Sequence, residues 1–153
     1  RKVIIERCLL DRNLLQSLGA IVKDAVASRT SYKVLQSFYS TTIVELVATQ
    51  KVNDNFLRDI WGSVTAGLGS TDEQFQAGTI MILSTICWRL VVNPELLATA
   101  METLATKCIP HTHSNAVMLF ILFCQTSKEL SSKGKHYSTV FSSKTVASIV
   151  EWS

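Results

Sequence analysis

The sequence predicts an all-α fold in which helical hairpins stack into a repeat solenoid of about seven helices. Apolar residues recur at helical spacing through most of the 153-residue chain. Only a few polar, Gly or Pro residues separate the helical stretches, and no stretch alternates as a β-strand does. Helix pairs recur about every 40 residues, which is the period of HEAT and armadillo repeats.

The predicted helix pairs cover residues 11–49, 54–92 and 94–130, and a last helix is predicted at about 142–152. Asp11 is predicted to cap the first helix, since its carboxylate can accept hydrogen bonds from the first free amides. The repeat rests on helix spacing alone, because the three pairs share little sequence. A plain helical bundle built from the same helices therefore stays as the alternative.

The clearest helix start precedes the most apolar helix of the chain. Ser70 and Glu73 have the spacing of a capping box, in which the Ser70 hydroxyl accepts a hydrogen bond from the Glu73 amide. The helix that follows runs from Phe75 to about Val92 and is apolar on nearly every side, which predicts burial. Pro94 then marks the first turn of the next helix.

The composition is apolar for a free-standing soluble domain. Hydrophobic residues make up 47% of the chain and charged residues 18%, whereas about 25% charged is usual. A slice of a longer solenoid has this composition, because neighbouring repeats cover its end faces. The start at Arg1 and the lack of a helix stop after Trp152 agree with that interpretation. We therefore expect residues 1–153 to be one HEAT-like fragment of a much longer protein.

Charge and cysteine usage point to an intracellular protein without a disulfide framework. The net charge of +3 does not by itself indicate nucleic-acid binding. No apolar run reaches the roughly 18 to 20 residues that span a bilayer, so no membrane contact is expected. Four widely spaced cysteines are predicted to be reduced, with Cys87 and Cys124 in the core: Cys8, Cys87, Cys108 and Cys124.

One cluster has residue types that bind metals. Cys108, His111 and His113 stand close together in a predicted turn, and all three types can bind zinc. A structural zinc site needs a fourth ligand, and none is evident from the spacing. We therefore predict a polar turn without a metal and keep the three residues as weak candidates. No catalytic set, cofactor or small-molecule substrate is predicted, because neither a phosphate loop nor a nucleophile with its base is recognisable.

Basic residues concentrate near the two ends of the chain. Four lysines against the single acid Glu129 are weak candidates for phosphate contacts, with a solvated loop as the alternative: Lys128, Lys133, Lys135 and Lys144. A second basic cluster, partly balanced by two acids, lies at the start: Arg1, Lys2, Arg7 and Arg12.

Most aromatic residues fall on apolar helix faces, where core packing is favoured over base stacking. These predicted core residues are Phe38, Tyr39, Phe75, Trp88, Phe120 and Phe123. Trp61 and Trp152 are candidates for a surface that meets a partner. No protein-binding residue can be assigned beyond that from the pattern.

Several stretches between about residues 10 and 130 resemble one protein family. They are Val34–Ala48, Val52–Asn55, Gly67–Leu68 and Gln76–Ile82. The residues of these stretches resemble the N-terminal region of the U3 small nucleolar RNA-associated protein 10 family, also called HEAT repeat-containing protein one. The matching residues pack and cap helices, so the likeness is spread over the chain and includes no catalytic motif.

This resemblance implies a very long nucleolar HEAT-repeat protein of which the chain is a small part. It implies a non-catalytic role in the small-subunit processome, within the early subcomplex that engages the 5′ external transcribed spacer. Such a role supports 18S rRNA maturation and rRNA transcription. The implied partners are other subunits of that subcomplex, with pre-rRNA and the U3 ribonucleoprotein contacted weakly or indirectly.

Three function classes follow from the residues and the resemblance together. A protein-binding scaffold predicts exposed apolar surface on a helical solenoid. A direct RNA-binding module predicts that Lys128, Lys133, Lys135 and Lys144 converge with other basic groups. A metalloprotein or enzyme predicts a site at Cys108, His111 and His113. The sequence favours the scaffold.

Overall fold

The helices predicted from the sequence are present in a computed structural model that describes residues 2–30, 32–49, 52–126 and 141–152. These ranges contain no β-strand, and none of their helices is long and apolar enough to cross a bilayer. Their eight α-helices are α1 (Lys2–Leu10), α2 (Arg12–Ala27), α3 (Lys33–Thr49), α4 (Asp54–Leu68), α5 (Glu73–Arg89), α6 (Pro94–Lys107), α7 (His113–Thr126) and α8 (Ser143–Val150).

The helices form two layers of consecutive hairpins. In one layer α3 packs extensively on α5 and α5 packs on α7; in the other, α2 packs on α4, α4 on α6 and α6 on α8. Contacts of α2 with α3, α4 with α5 and α6 with α7 join the layers. Since each hairpin contacts the next in order, the architecture is that of a helical repeat solenoid. The prediction of an all-α, HEAT-like stack is confirmed.

The helix α1 was not predicted. Its nine residues were interpreted as part of a basic cluster, because the stretch is too short to show a clear period. Ile5 and Cys8 lie three residues apart on one face and are both buried. Contacts with α2 and α3 therefore hold a helix that is too short to be stable alone.

Helix α5 begins two residues later than the capping-box prediction assumed. The Asp72 carboxylate accepts a hydrogen bond from the Phe75 amide at 2.9 Å, so Asp72 is the N-cap. The Ser70 hydroxyl instead accepts one from the Asp72 amide at 3.0 Å. The predicted role of Ser70 is wrong because a second good cap residue follows it. The helix also ends earlier than predicted, at Arg89, since Leu90 is extended.

The core lies between the two layers and consists of aliphatic and aromatic side chains from α3 to α7. Its largest fully buried members include Ile43, Leu46, Ile60, Leu68, Ile82, Leu83, Ile86, Met101, Leu104, Leu119 and Phe123. Burial of each such side chain contributes about 1.5 to 3 kcal/mol. Removal of these side chains from water is the main term that holds the hairpins together.

Small residues let neighbouring helices approach closely at three places. A Cβ at Gly67 would lie 2.0 Å from the Thr79 hydroxyl, and one at Gly78 would lie 2.9 Å from the Ser40 Cβ. A Cβ at Gly19 would lie 3.3 Å from the Ser63 Cβ. These contacts join α4 to α5, α5 to α3 and α2 to α4. The glycines are therefore needed for helix packing.

A single buried side-chain amide, that of Gln76, bonds to the connectors along one edge of the helix layers. The Gln76 Nε2 group donates to the carbonyl oxygens of Leu68 at 2.9 Å, Ser70 at 3.1 Å and Lys107 at 3.0 Å. Its Oε1 atom accepts from the Ile109 amide at 3.0 Å and from the Thr112 hydroxyl. Gln76 is fully buried, so these bonds satisfy backbone groups that water cannot reach.

Replacing Gln76 by Glu tests this network. The new carboxylate would face three carbonyl oxygens without a donor, so we expect the free energy of unfolding to fall by about 3 kcal/mol or more at pH 7. Burial raises the folded-state pKa of that carboxyl above its unfolded value of about 4.3, so the deficit shrinks as the pH falls towards 4. Urea unfolding at several pH values measures both effects.

The matched control is Gln125→Glu, the same change at an exposed position of α7. This variant is expected to stay within about 0.5 kcal/mol of wild type. Equal stability of the two variants at pH 7 contradicts the role given to Gln76.

Candidate functional site

The three candidate metal ligands have separate surroundings in the structure. The Cys108 sulfur lies 3.3 Å from the Thr112 hydroxyl, and His111 is exposed. The His113 ring stacks on Trp152, with ring centroids 4.6 Å apart and planes 13° apart. Among the described residues, no group of three His, Cys, Asp or Glu side chains is arranged to hold a metal ion. The turn thus contributes packing between α7 and the end of the chain.

Burial favours the protonated form of all four cysteine thiols. Burial raises the pKa of Cys108, and it raises the pKa of Cys87 to about 12. A protonated thiol is a poor metal ligand and a poor nucleophile. All four cysteines lie in the described ranges, and none forms a disulfide. Cys124 is exposed, so its predicted core position is wrong. Its neighbour Phe123 occupies the core side of α7 instead.

The structure describes only one of the four candidate RNA-binding lysines. The Lys144 ammonium lies 2.7 Å from a Glu102 carboxylate oxygen, so this lysine is paired and links α8 to α6. Lys128, Lys133 and Lys135 lie outside the described residues. A convergence of the four lysines therefore stays a prediction.

At the start of the chain, Arg12 is also committed to a carboxylate. Its guanidinium forms two hydrogen bonds of 2.7 Å to Asp59, and the Gln16 amide donates a third at 3.0 Å. The Asp59 side chain is only 4% exposed. The Arg12 hydrogen bonds lower the pKa of Asp59 below its ordinary value. This pair joins α2 to α4, so Arg12 is committed to an ion pair within the fold.

Replacing Asp59 by Asn tests that ion pair. Because the folded-state pKa is lowered, the stabilisation is present above the ordinary Asp pKa of about 3.9 and is lost as the pH falls below it. We therefore expect Asp59→Asn to be less stable than wild type at pH 5 to 7 and to differ little near pH 2, as measured by urea unfolding.

Glu102→Gln is the control, because the exposed pair of Glu102 with Lys144 is worth at most about 1 kcal/mol. A constant difference between wild type and Asp59→Asn at all pH values contradicts the assignment.

The outer side of the layer formed by α5 and α7 is apolar and poor in charge. Its large exposed side chains, which we name the α5–α7 face, are Met81, Trp88, Val117, Met118 and Ile121. Between Glu73 and Arg89 the helix α5 has no charged residue, and α7 has no Asp, Glu, Lys or Arg. Trp88 is 66% exposed, so its predicted core position is wrong. It follows Met81 by seven residues and shares its outward face.

Two hydroxyl groups on this face already donate hydrogen bonds within α5. The Ser84 hydroxyl donates to the Ile80 carbonyl at 2.8 Å, and the Thr85 hydroxyl donates to the Met81 carbonyl at 2.9 Å. Both hydroxyl groups therefore keep a hydrogen-bond acceptor when a protein covers the face and excludes water from it. Sequence reasoning missed the face because its residues have the same apolar character as the core residues of α5 and α7.

A second apolar surface lies at the edge of the helix layers opposite Gln76, where α4 and α6 begin. It is a groove of about 650 Å³ between α4 and the first turn of α6. The groove is lined by Asp54, Leu57, Arg58, Trp61, Gly62, Val91, Val92, Asn93 and Leu96. Leu57, Trp61 and Val92 also pack on the core, whereas Val91 is 86% exposed. We name it the α4–α6 groove.

Gly62 is the one glycine among the described residues that line this groove. A Cβ at Gly62 would have no neighbour within 4 Å. The residue lies in the interior of α4, where glycine is less favourable than alanine by about 0.5 to 1 kcal/mol. Unlike Gly19, Gly67 and Gly78, it is therefore not required by packing. It is exposed and lies beside Trp61 among the residues that line the groove.

Alanine substitutions at two glycines of α4 test this contrast. We expect Gly62→Ala to raise the free energy of unfolding by about 0.5 to 1 kcal/mol. Gly67→Ala is expected to lower it by about 1 to 3 kcal/mol, since the new methyl group would overlap the buried Thr79 side chain. Thermal and urea unfolding measure both, and changes of the same sign contradict the analysis.

Comparison with known proteins supports the repeat architecture. The chain is similar to human HEAT repeat-containing protein 1, with 26% identity over 136 residues. The alignment covers 82% of this chain and 6% of that protein, so the chain spans a small part of its relative's length. No family model and no solved structure matches the chain. The similarity supports a relationship to HEAT-repeat proteins.

Proposed function

We propose that the chain is part of a non-catalytic scaffold subunit of the small-subunit processome. In this role it supports pre-18S rRNA processing and rRNA transcription by binding other subunits of the early subcomplex on the 5′ external transcribed spacer. The resemblance of Val34–Ala48 and the other matching stretches supports the assignment to ribosome assembly, and a nucleolar location is part of the proposal. The similarity to human HEAT repeat-containing protein 1 agrees with the repeat part of the proposal.

The observation that carries the scaffold proposal is the α5–α7 face. It joins an exposed Trp and two exposed Met side chains on adjacent helices without an intervening charge. Aromatic residues and Met are enriched in the centres of protein interfaces, and charged residues are depleted there. Phosphate binding needs the opposite, a cluster of Lys and Arg. The described surface thus favours a protein partner over RNA.

A pull-down from nucleolar extract tests the proposal. The tagged chain is incubated with the extract, with and without RNase, and the retained proteins are identified by mass spectrometry. We expect the early processome subunits to be retained after RNase treatment, because apolar contacts do not depend on RNA.

Two variants locate the contact in the same experiment. Trp88→Glu places a charge in the α5–α7 face and is expected to reduce recovery about tenfold, as for a central interface residue. Ser17→Glu adds the same charge at an exposed position of α2 and is expected to leave recovery unchanged. Recovery that disappears with RNase assigns the function to RNA binding, and recovery of neither class contradicts the ribosomal assignment.

A further inference from the structure

We propose that the α4–α6 groove binds an amphipathic helix of a partner protein, which inserts apolar side chains over Gly62 and places an acidic residue beside Arg58. The proposal rests on the scaffold function and names one contact through which a partner would be held. It concerns a different surface from the α5–α7 face, at the edge of the helix layers where α4 and α6 begin.

The shape of the groove indicates how much of a partner it can take. Its α4 side is lined by residues at 54, 57, 58, 61 and 62, which share one helical face. This span is about 12 Å long, or roughly two turns of a bound helix. A volume of about 650 Å³ is enough for more than one large apolar side chain. Trp61 on the floor and Leu96 on the rim would contact those side chains.

The apolar lining and scarce polar groups argue against a small polar ligand. Such a ligand needs several convergent polar groups that fix its orientation. The Asn93 side chain is already used as the N-cap of α6, where it accepts a hydrogen bond from the Glu95 amide at 2.8 Å. Asp54 and Arg58 are the charged residues of the lining. The groove therefore suits an apolar surface with a charged edge.

The backbone around the groove favours a helical occupant over an extended one. The groove lies between two α-helices and their connectors, and the described ranges hold no strand edge with which an extended segment can pair. An occupant must then satisfy its own backbone groups, as a helix does.

Charge complementarity defines the edge of that helix. Arg58 is exposed on the rim, and in the described part of the chain no carboxylate lies within ion-pair distance of its guanidinium. The adjacent Asp59 carboxylate, whose pKa the Arg58 charge helps to lower, is hydrogen-bonded by Arg12 and Gln16. An acidic side chain on the partner helix can thus pair with Arg58 when the apolar contacts form.

The stability of α4 gives an independent reason to treat the groove as a binding surface. Glycine at position 62 weakens the helix, and packing does not require it. Any larger side chain there would project into the groove, where the partner's apolar residues are proposed to lie. A residue that lowers stability without a packing reason is expected where function needs the space.

A peptide-display selection on the whole 153-residue chain tests the proposal. The library presents peptides of about 16 residues, roughly four helical turns, and is counter-selected against Gly62→Leu, which fills the groove. We expect enrichment of peptides with apolar residues at helical spacing and with Asp or Glu at the edge. Their synthetic consensus peptide should bind Gly62→Leu about tenfold or more weakly than wild type, as measured by fluorescence anisotropy.

A charge exchange identifies the role of Arg58. Arg58→Glu should weaken the consensus peptide, and replacing the peptide's acids by Lys should restore binding to that variant. Thermal unfolding checks that Gly62→Leu and Arg58→Glu remain folded. Wild type that self-associates in sedimentation while Gly62→Leu is monomeric would instead make a second copy the occupant and overturn the proposal.

The two proposals can fail separately. If no peptide distinguishes wild type from Gly62→Leu, or if the selected peptides are basic, the groove proposal is wrong even when partners are retained in the RNase-treated pull-down. If peptides bind the groove as expected but no assembly subunit is retained, the processome scaffold is wrong and the groove contact stands.

Discussion

The buried amide of Gln76 is the interaction on which the arrangement of the hairpins most depends. It bonds to the end of α4, to the connector that follows, and to the turn between α6 and α7. Hydrophobic contacts between layers are not directional, so they leave the position of one hairpin on the next loosely fixed. Hydrogen bonds from one side chain to three chain segments fix that position, since a shift would leave buried backbone groups without partners.

Helices whose connectors are fixed at one edge of the layers can present defined surfaces at the opposite edge and on the outer side of a layer. The close contacts at Gly67 and Gly78 hold α5 against α4 and α3, so the exposed stripe of Met81 and Trp88 keeps its direction. At the edge opposite Gln76, the α4–α6 groove includes the open position at Gly62 in its lining. Both surfaces are apolar, and protein partners are the class of molecule that such surfaces fit. The internal packing thus sets the direction of the surfaces on which the proposed scaffold role rests.

The parts of the fold that depend on local patterns were predictable from the sequence. Apolar periodicity indicated the helices, and Asp11 and Pro94 marked helix starts that the structure confirms. Ser70 and Asp72 are both good caps, and the sequence does not show which of them ends the connector. The partners of Gln76 lie up to 36 residues away. The spacing of apolar residues does not predict a hydrogen bond between residues so far apart in the sequence.

The candidate site was harder to predict for the same reason. Trp88 sits in a helix that is apolar on nearly every side, and only the positions of α3, α4 and α7 around that helix decide which of its faces stays exposed. Gly62 is indistinguishable in sequence from Gly67, although a neighbour fills the space beside Gly67 alone. Conversely, Cys108, His111 and His113 looked like a set because they are close in sequence, but the turn directs them to different neighbours.

The most direct test of a protein-covered α5–α7 face is the environment of Trp88 itself. In a chain with Trp61→Phe and Trp152→Phe, Trp88 is the remaining tryptophan of three. Incorporated as 5-hydroxytryptophan, which can be excited selectively beside the tryptophans of other proteins, it reports its own fluorescence and its quenching by iodide as RNase-treated processome subunits are added. The scaffold account predicts a blue shift and protection from iodide, because the partner removes the indole from water. Binding of those subunits with unchanged emission and unchanged quenching would contradict it.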